Sequence, residues 1–237
     1  MTFKLLIPAI VAASFLSGPA AADETNFFAG LDFSGGTATG SSKTTDGGAP
    51  WAGGGVVDNV KFGNTMGIGG HAGYRFSPAL SGFVSYQHVW GDVGWDATFP
   101  LLGAASDFKG TARSDVIMGN IAYDFALSET TSIRASAGAG VSFNSLSNVV
   151  ETDVGTGFFL SDVANHTRVS PAFQVGAGLH HRIAPNAVLS LNASVGYTGG
   201  FETGDTRSGN LGITPITPYK IDDVWRTGLN ASMRIDF

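Results

Sequence analysis

Cysteine is absent from the 237 residues. That excludes thiolate zinc sites, iron–sulfur clusters, disulfide scaffolds and cysteine nucleophiles. Charge is scarce as well: only 14% of residues are Asp, Glu, Lys or Arg, against about 25% in an ordinary soluble domain. Thirteen Lys and Arg against 19 Asp and Glu give a net charge of −6. No basic stripe is available to track phosphates, so nucleic acid is excluded as a partner. Proline is limited to nine residues and no Gly-X-Y period occurs, which excludes collagen although 34 residues are glycine. After residue 22 no run approaches the 18 consecutive apolar residues of a transmembrane helix.

What the chain does have is apolar and aromatic material, 43% hydrophobic residues with 17 Phe, 4 Trp and 5 Tyr. A disordered segment does not carry so much. It must be buried or face lipid. At the N-terminus Lys4 precedes an apolar run from Leu5 to Leu16, followed by Ser17-Gly18-Pro19 and Ala20-Ala21-Ala22. This reads as a secretory signal cut after Ala22 rather than a membrane anchor, because the run falls short of the ~20 residues a bilayer requires. Residues 1–22 are therefore assigned to a signal peptide and 23–237 to one exported domain.

That domain alternates with a period of two. Met66, Ile68, Gly70, Ala72, Tyr74 and Phe76 interleave with Gly67, Gly69, His71, Gly73 and Arg75. At the C-terminus Trp225, Thr227, Leu229, Ala231, Met233, Ile235 and Phe237 interleave with Arg226, Gly228, Asn230, Ser232, Arg234 and Asp236. Period-two alternation is the mark of a strand with one apolar face. Eight such strands are predicted, at about residues 28–35, 64–77, 80–91, 113–127, 131–145, 167–183, 187–200 and 224–237. Three connections are tight, at Ser77-Pro78-Ala79, Ser128-Glu129-Thr130 and Ala184-Pro185-Asn186. The other four, about 36–63, 92–112, 146–166 and 201–223, are long and rich in Gly, Ser, Thr and Asp. The fold expected is all-β: an eight-stranded antiparallel up-and-down transmembrane barrel with short periplasmic turns and four long extracellular loops.

A soluble sandwich would charge its polar face, whereas here that face is mostly Gly, Ser, Ala and Asn. Small residues suit the narrow interior of an eight-stranded barrel. Arg75, Arg134, Arg182, Arg226 and Arg234, with Asp124 and Asp236, fall on inward phases and predict a lumen network of ion pairs. All but Arg226 lie within a few residues of the short-turn end and are expected to cluster at the periplasmic mouth and plug it, so that losing Asp124 would raise conductance. Phe27, Phe76, Phe125 and Phe237 fall toward the short-turn end, and Trp90, Phe143, Tyr197 and Trp225 toward the other, as two aromatic girdles would.

The terminal pattern Leu229, Ala231, Met233, Ile235 and Phe237 resembles that of the small eight-stranded outer-membrane proteins of Gram-negative bacteria, the OmpA-like, OmpX-like and opacity-type porin-family proteins. The resemblance covers residues 23–237 as architecture and does not extend to a periplasmic peptidoglycan-binding domain. It implies an integral outer-membrane location and a terminal signal, carried by those five residues, that the barrel-assembly machinery reads. It also implies contact with outer-membrane lipid and lipopolysaccharide.

Catalytic signals are sparse. The five histidines His71, His88, His166, His180 and His181 show no helical metal spacing, and adjacent His180 and His181 point to opposite faces of a strand. Lipid A deacylases carry a His with a Ser two residues later on the lipid-facing rim; His88 sits suggestively, but position 90 is Trp90, so the nucleophile is missing. Gly53-Gly54-Gly55 lacks the Gly-Lys-Ser/Thr tail of a phosphate loop. No catalytic residue, cofactor or metal is assigned. The long loops are acidic, with Asp92, Asp96, Glu151, Asp162, Glu202 and Asp222 among twelve carboxylates facing Lys43, Lys61, Lys109, Arg207 and Lys220. The function expected is non-enzymatic: an envelope-structural barrel whose loops are available for adhesion or an extracellular ligand. A narrow channel for small solutes or an apolar ligand is the alternative, and a lipid A-modifying enzyme is third.

Overall fold

The computed structural model describes residues 26–42, 45–46, 55–100, 103–210 and 212–237. The proposed signal peptide lies outside them. Eight long strands form the body: β1 (Phe27–Ser41), β2 (Gly55–Arg75), β3 (Leu80–Phe99), β4 (Ala104–Ala126), β5 (Thr131–Asp153), β6 (His166–Ala184), β7 (Ala187–Glu202) and β8 (Lys220–Asp236). Each pairs antiparallel with its sequence neighbours. Pairing of β1 with β8, from Phe28 opposite Asp236 to Ser41 opposite Asp222, closes the ring. The protein is an eight-stranded closed antiparallel barrel, and closure leaves its wall no exposed edge.

All three tight turns stand where the sequence places them. In two of them a serine stabilises the reversal: Leu80 N donates to Ser77 Oγ at 3.0 Å and Thr131 N to Ser128 Oγ at 3.1 Å. The opposite end differs from expectation. Strands run well past their predicted ends, so the loop expected at about 92–112 shrinks to a turn between Phe99 and Ala104. Three short strands, Phe159–Val163, Thr206–Gly209 and Gly212–Pro215, continue the sheet sideways from the far end of β5. Thr45–Asp46 adds a small ladder on Val56 and Gly55.

The extra length has its own pattern. In the half nearest the short turns, large apolar side chains face outward, including Leu31, Ile68, Val84, Ile121, Leu191 and Leu229, each exposed. Above Trp90 on β3 the wall inverts without any break in the alternation. Asp92, Gly94, Asp96 and Thr98 now face out, while Val93, Trp95, Ala97 and Phe99 are buried inside. The lower tier is apolar outside and polar inside, as lipid demands. The upper tier is polar outside and apolar inside, as water demands. Register shifts mark the change of tier on β2, on β5 against β4, and on β8. At each sits a residue in the left-handed region, Asn59 (φ 53), Asn148 (φ 54) and Asp223 (φ 53). Asn and Asp tolerate that conformation because their short side chains bond locally, and a bulge re-aims the strand beyond it.

The lipid-facing belt predicts an asymmetric response to charge. Ala139 is exposed on β5, between Gly119 and Phe173 of the flanking strands. Ala139→Arg is expected to lower unfolding stability in lipid vesicles by about 2–4 kcal/mol, the range for a cation near the bilayer midplane. Urea titration followed by intrinsic tryptophan fluorescence measures it.

Candidate functional site

The lumen is the natural place to look for a path or a site, and it is filled in three layers. At the short-turn mouth Arg134 meets Asp124 with two bonds, Nε to Oδ1 at 2.8 Å and Nη2 to Oδ2 at 2.6 Å. Such a planar fork is the strongest ion-pair geometry available. Arg75 pairs with Asp236. Arg234 Nε lies 2.9 Å from the other oxygen of that carboxylate as an ion pair lacking hydrogen-bond alignment, with its guanidinium 5.0 Å over the Phe28 ring. One level up, His71 Nδ1 and Asp32 Oδ2 are 2.8 Å apart.

One residue expected in this ring is elsewhere, and the remaining lumen arginine stands above it. Arg182 is exposed at the rim, beside the register shift between Arg182 and Ala184. Arg226 belongs to a higher level, four alternate positions above Arg234 on β8, where Nη2 donates to Ser114 Oγ at 2.5 Å. Alternation fixes which face a residue takes but not which layer it joins.

The middle layer is uncharged apart from Arg226. Asn144 donates to Thr198 O at 2.6 Å, to Gly200 O at 3.0 Å and to Ser142 Oγ at 3.1 Å, while its own carbonyl accepts from Ser114 Oγ at 2.5 Å. Asn120 reaches Ser85 Oγ at 2.9 Å. The glycines earlier unexplained are needed here. A Cβ at Gly138 would collide with the Asn120 amide, and one at Gly30 with the His71 ring. Bulk on one strand is matched by its absence on the next. A cavity of about 60 Å³ lined by Gln87, Met118, Gln174 and Asn230 among others lies in this layer. That volume holds a few waters.

The upper layer is a hydrophobic plug that the sequence reading did not anticipate. Trp95 and Phe108 stack with centroids 5.3 Å apart and planes 4° apart, and Tyr219 packs on Phe108 at 4.8 Å. Phe201, Leu146, Val149, Ile221 and Val224 complete it, all buried. The signal was present as alternation in Val93, Trp95, Ala97 and Phe99, but it lay inside a stretch taken for loop. Glu151 is sealed beside the plug at 2% exposure. It accepts from Ser106 Oγ at 2.8 Å and Ser161 Oγ at 2.6 Å, with Arg207 Nη1 at 3.3 Å, and so ties the side sheet to the barrel.

On the outer wall, His88 Nδ1 lies 2.8 Å from Asp115 Oδ1, and Tyr86 Oη donates to the same oxygen at 2.6 Å. Asp115 was missed, although a carboxylate in phase with outward Ile117, Ile121 and Tyr123 was visible in the sequence. No serine replaces Trp90, whose ring lies 5.5 Å from that of His88. Among the described residues no group of three His, Asp or Glu converges as metal ligands. Of the terminal-strand residues, Leu229, Ala231, Met233 and Phe237 are exposed on the outer face of β8 and Ile235 is half-buried. Phe237 N donates to Phe27 O at 3.0 Å, completing the seam.

No protein-family model matches the chain, and no curated protein does. Several solved structures are similar in architecture. Neisserial surface protein A is 16% identical, with 90% of this chain and 98% of that one covered and a TM-score of 0.43. The outer membrane protein OprG from Pseudomonas aeruginosa is 15% identical over 88% and 96%, TM-score 0.49. The outer membrane protein AlkL is 21% identical over 93% and 95%, TM-score 0.39.

Proposed function

We propose that the chain is a non-enzymatic, non-conducting barrel of the Gram-negative outer membrane that serves the envelope structurally and presents its far end as an interaction surface. The observation that supports this reading is the double closure of the lumen, by ion pairs below and by the Trp95–Phe108–Tyr219 plug above. In the upper layer the stacked rings of Trp95, Phe108 and Tyr219 present no charged group for a hydrated ion to follow. Strands that rise beyond the lipid belt lift a rigid platform with Asp58, Asp92 and Asp96 on its outside, and the side sheet exposes Ile213 and Phe158. These surfaces suit adhesion or an extracellular partner better than catalysis. Assembly through the terminal pattern ending at Phe237, contact with lipopolysaccharide, and export by a cleaved signal belong to the same reading.

Planar-bilayer recording of the refolded full-length barrel tests it. The expected result is no steady conductance above the bare-bilayer baseline. Steady unitary steps would transfer the assignment to the narrow-channel alternative.

A further inference from the structure

Arg226 stands alone in the middle of the barrel. Among the described residues Arg75, Arg134, Arg168, Arg207 and Arg234 each lie within ion-pair distance of a carboxylate. Arg226 has no such neighbour. Of its guanidinium nitrogens only Nη2 has a partner among the described residues, the neutral Ser114 Oγ, and Nε is buried with none. The carboxylates inside the barrel are engaged at other levels: Asp32 by His71, Asp124 by Arg134, Asp236 by Arg75 and Arg234, and Glu151 by Arg207. A guanidinium in a protein does not shed its proton to escape burial, and an uncompensated charge in a narrow interior is strongly destabilising. Something else must balance it.

We infer that the middle layer holds a halide ion against Arg226, chloride under ordinary conditions. The cavity of about 60 Å³ is lined by Arg226 together with Gln87, Gln174 and Asn230. Among the described residues none of those three amides has a side-chain hydrogen bond to protein. Each is therefore available to present an N–H to an anion. Gly196 stands between Arg226 and Gln174 in the ladder and adds no side chain to fill the space. One water takes about 30 Å³, so the cavity suits a monatomic anion with a companion water. One cation and a set of neutral donors match a single negative charge. Sulfate or phosphate would bring a second, and no other cation stands in this layer to meet it. The Asp124–Arg134 pair below and the Trp95–Phe108–Tyr219 plug above close the lumen. The ion is thus taken up as the barrel folds and becomes part of its interior.

The full-length barrel is refolded in sodium chloride, bromide or gluconate at one ionic strength, and urea unfolding is followed by tryptophan fluorescence. Gluconate, a six-carbon anion, is too large for the cavity and serves as the reference. With the halide at about ten times its dissociation constant, mass action should lower the unfolding equilibrium constant roughly tenfold in chloride or bromide relative to gluconate. Arg226→Gln should abolish that difference, whereas Arg182→Gln, at the exposed rim, should keep it. Crystals of the wild-type barrel refolded in bromide should show anomalous scattering from one ion in the cavity beside the Arg226 guanidinium. Equal unfolding in the three salts overturns the site, and that result needs no variant to fold. Water alone in the cavity of the bromide crystals overturns it too. A halide effect that survives Arg226→Gln would move the ion to the surface, with the same consequence.

Discussion

Asp124→Ala is expected to destabilise the barrel by about 3–5 kcal/mol, the range for removing one partner of a buried ion pair. The magnitude follows from what is left behind. Arg134 has only 7% of its side chain exposed and gives both of its aligned donors to Asp124. Arg75 and Arg234 already share the one carboxylate of Asp236, so no spare anion is close to take over. The uncompensated guanidinium makes the loss larger than the ~1–3 kcal/mol of an ordinary unsatisfied hydrogen bond. Urea-induced unfolding in vesicles measures it, and a loss below about 1 kcal/mol would mean that water solvates Arg134 freely. Conductance should nevertheless stay at baseline. The sequence alone suggested that opening this ring would open the barrel, but the apolar layer above it closes the lumen independently.

Phe108→Ala is expected to cost about 3–5 kcal/mol as well, by leaving a cavity that rigid barrel walls cannot collapse to fill. Phe108 is fully buried and touches both Trp95 and Tyr219. Trp95→Phe should be far milder. The Trp95 Nε1 is buried without a hydrogen-bond partner, so the smaller ring removes an unsatisfied donor while it removes volume. Comparable losses for the two variants would show that indole volume, not stacking on Phe108, sets the stability of the plug. Because the ring and the plug share no residue, the double variant Asp124→Ala, Phe108→Ala should be close to additive in stability. Conductance should stay at baseline even in the double variant, because the Asn144–Ser114–Arg226 layer between ring and plug is untouched.

Much of this architecture was legible in the sequence because a barrel in lipid obeys a strict alternation. Strand number, the tight turns at Pro78 and Pro185, the outward phase of Leu229, Ala231 and Met233, and the opposite facing of His180 and His181 all follow from period two alone. Three things did not. Strand ends were misplaced because the pattern sought was apolar-out, and above Trp90 the same alternation continues with its polarity reversed, so residues 93–99 read as loop. Layer membership was invisible because a strand records facing and not height, and the exposure of Arg182 at the rim was not legible from its inward phase. The pairing of His88 with Asp115 joins residues 27 apart in sequence, and only the register of β3 on β4 brings them together.

The inversion of the wall also acts as a waterline. Moving the barrel outward by two residues, roughly 6–7 Å, would lift Ile68, which stands opposite His88, to the level Trp90 now holds. Sinking it as far would press Asp92 down to the level of the aromatic girdle and Asp115, opposite His88, deeper still. Both displacements are uphill, so the molecule floats at one draught, whatever the thickness of the surrounding bilayer. A membrane thinner or thicker than the belt must therefore deform around it. Such a body, fixed in height, resists tilting and sets a constant elevation for whatever its far end presents, as a buoy holds its lamp at one level above the swell.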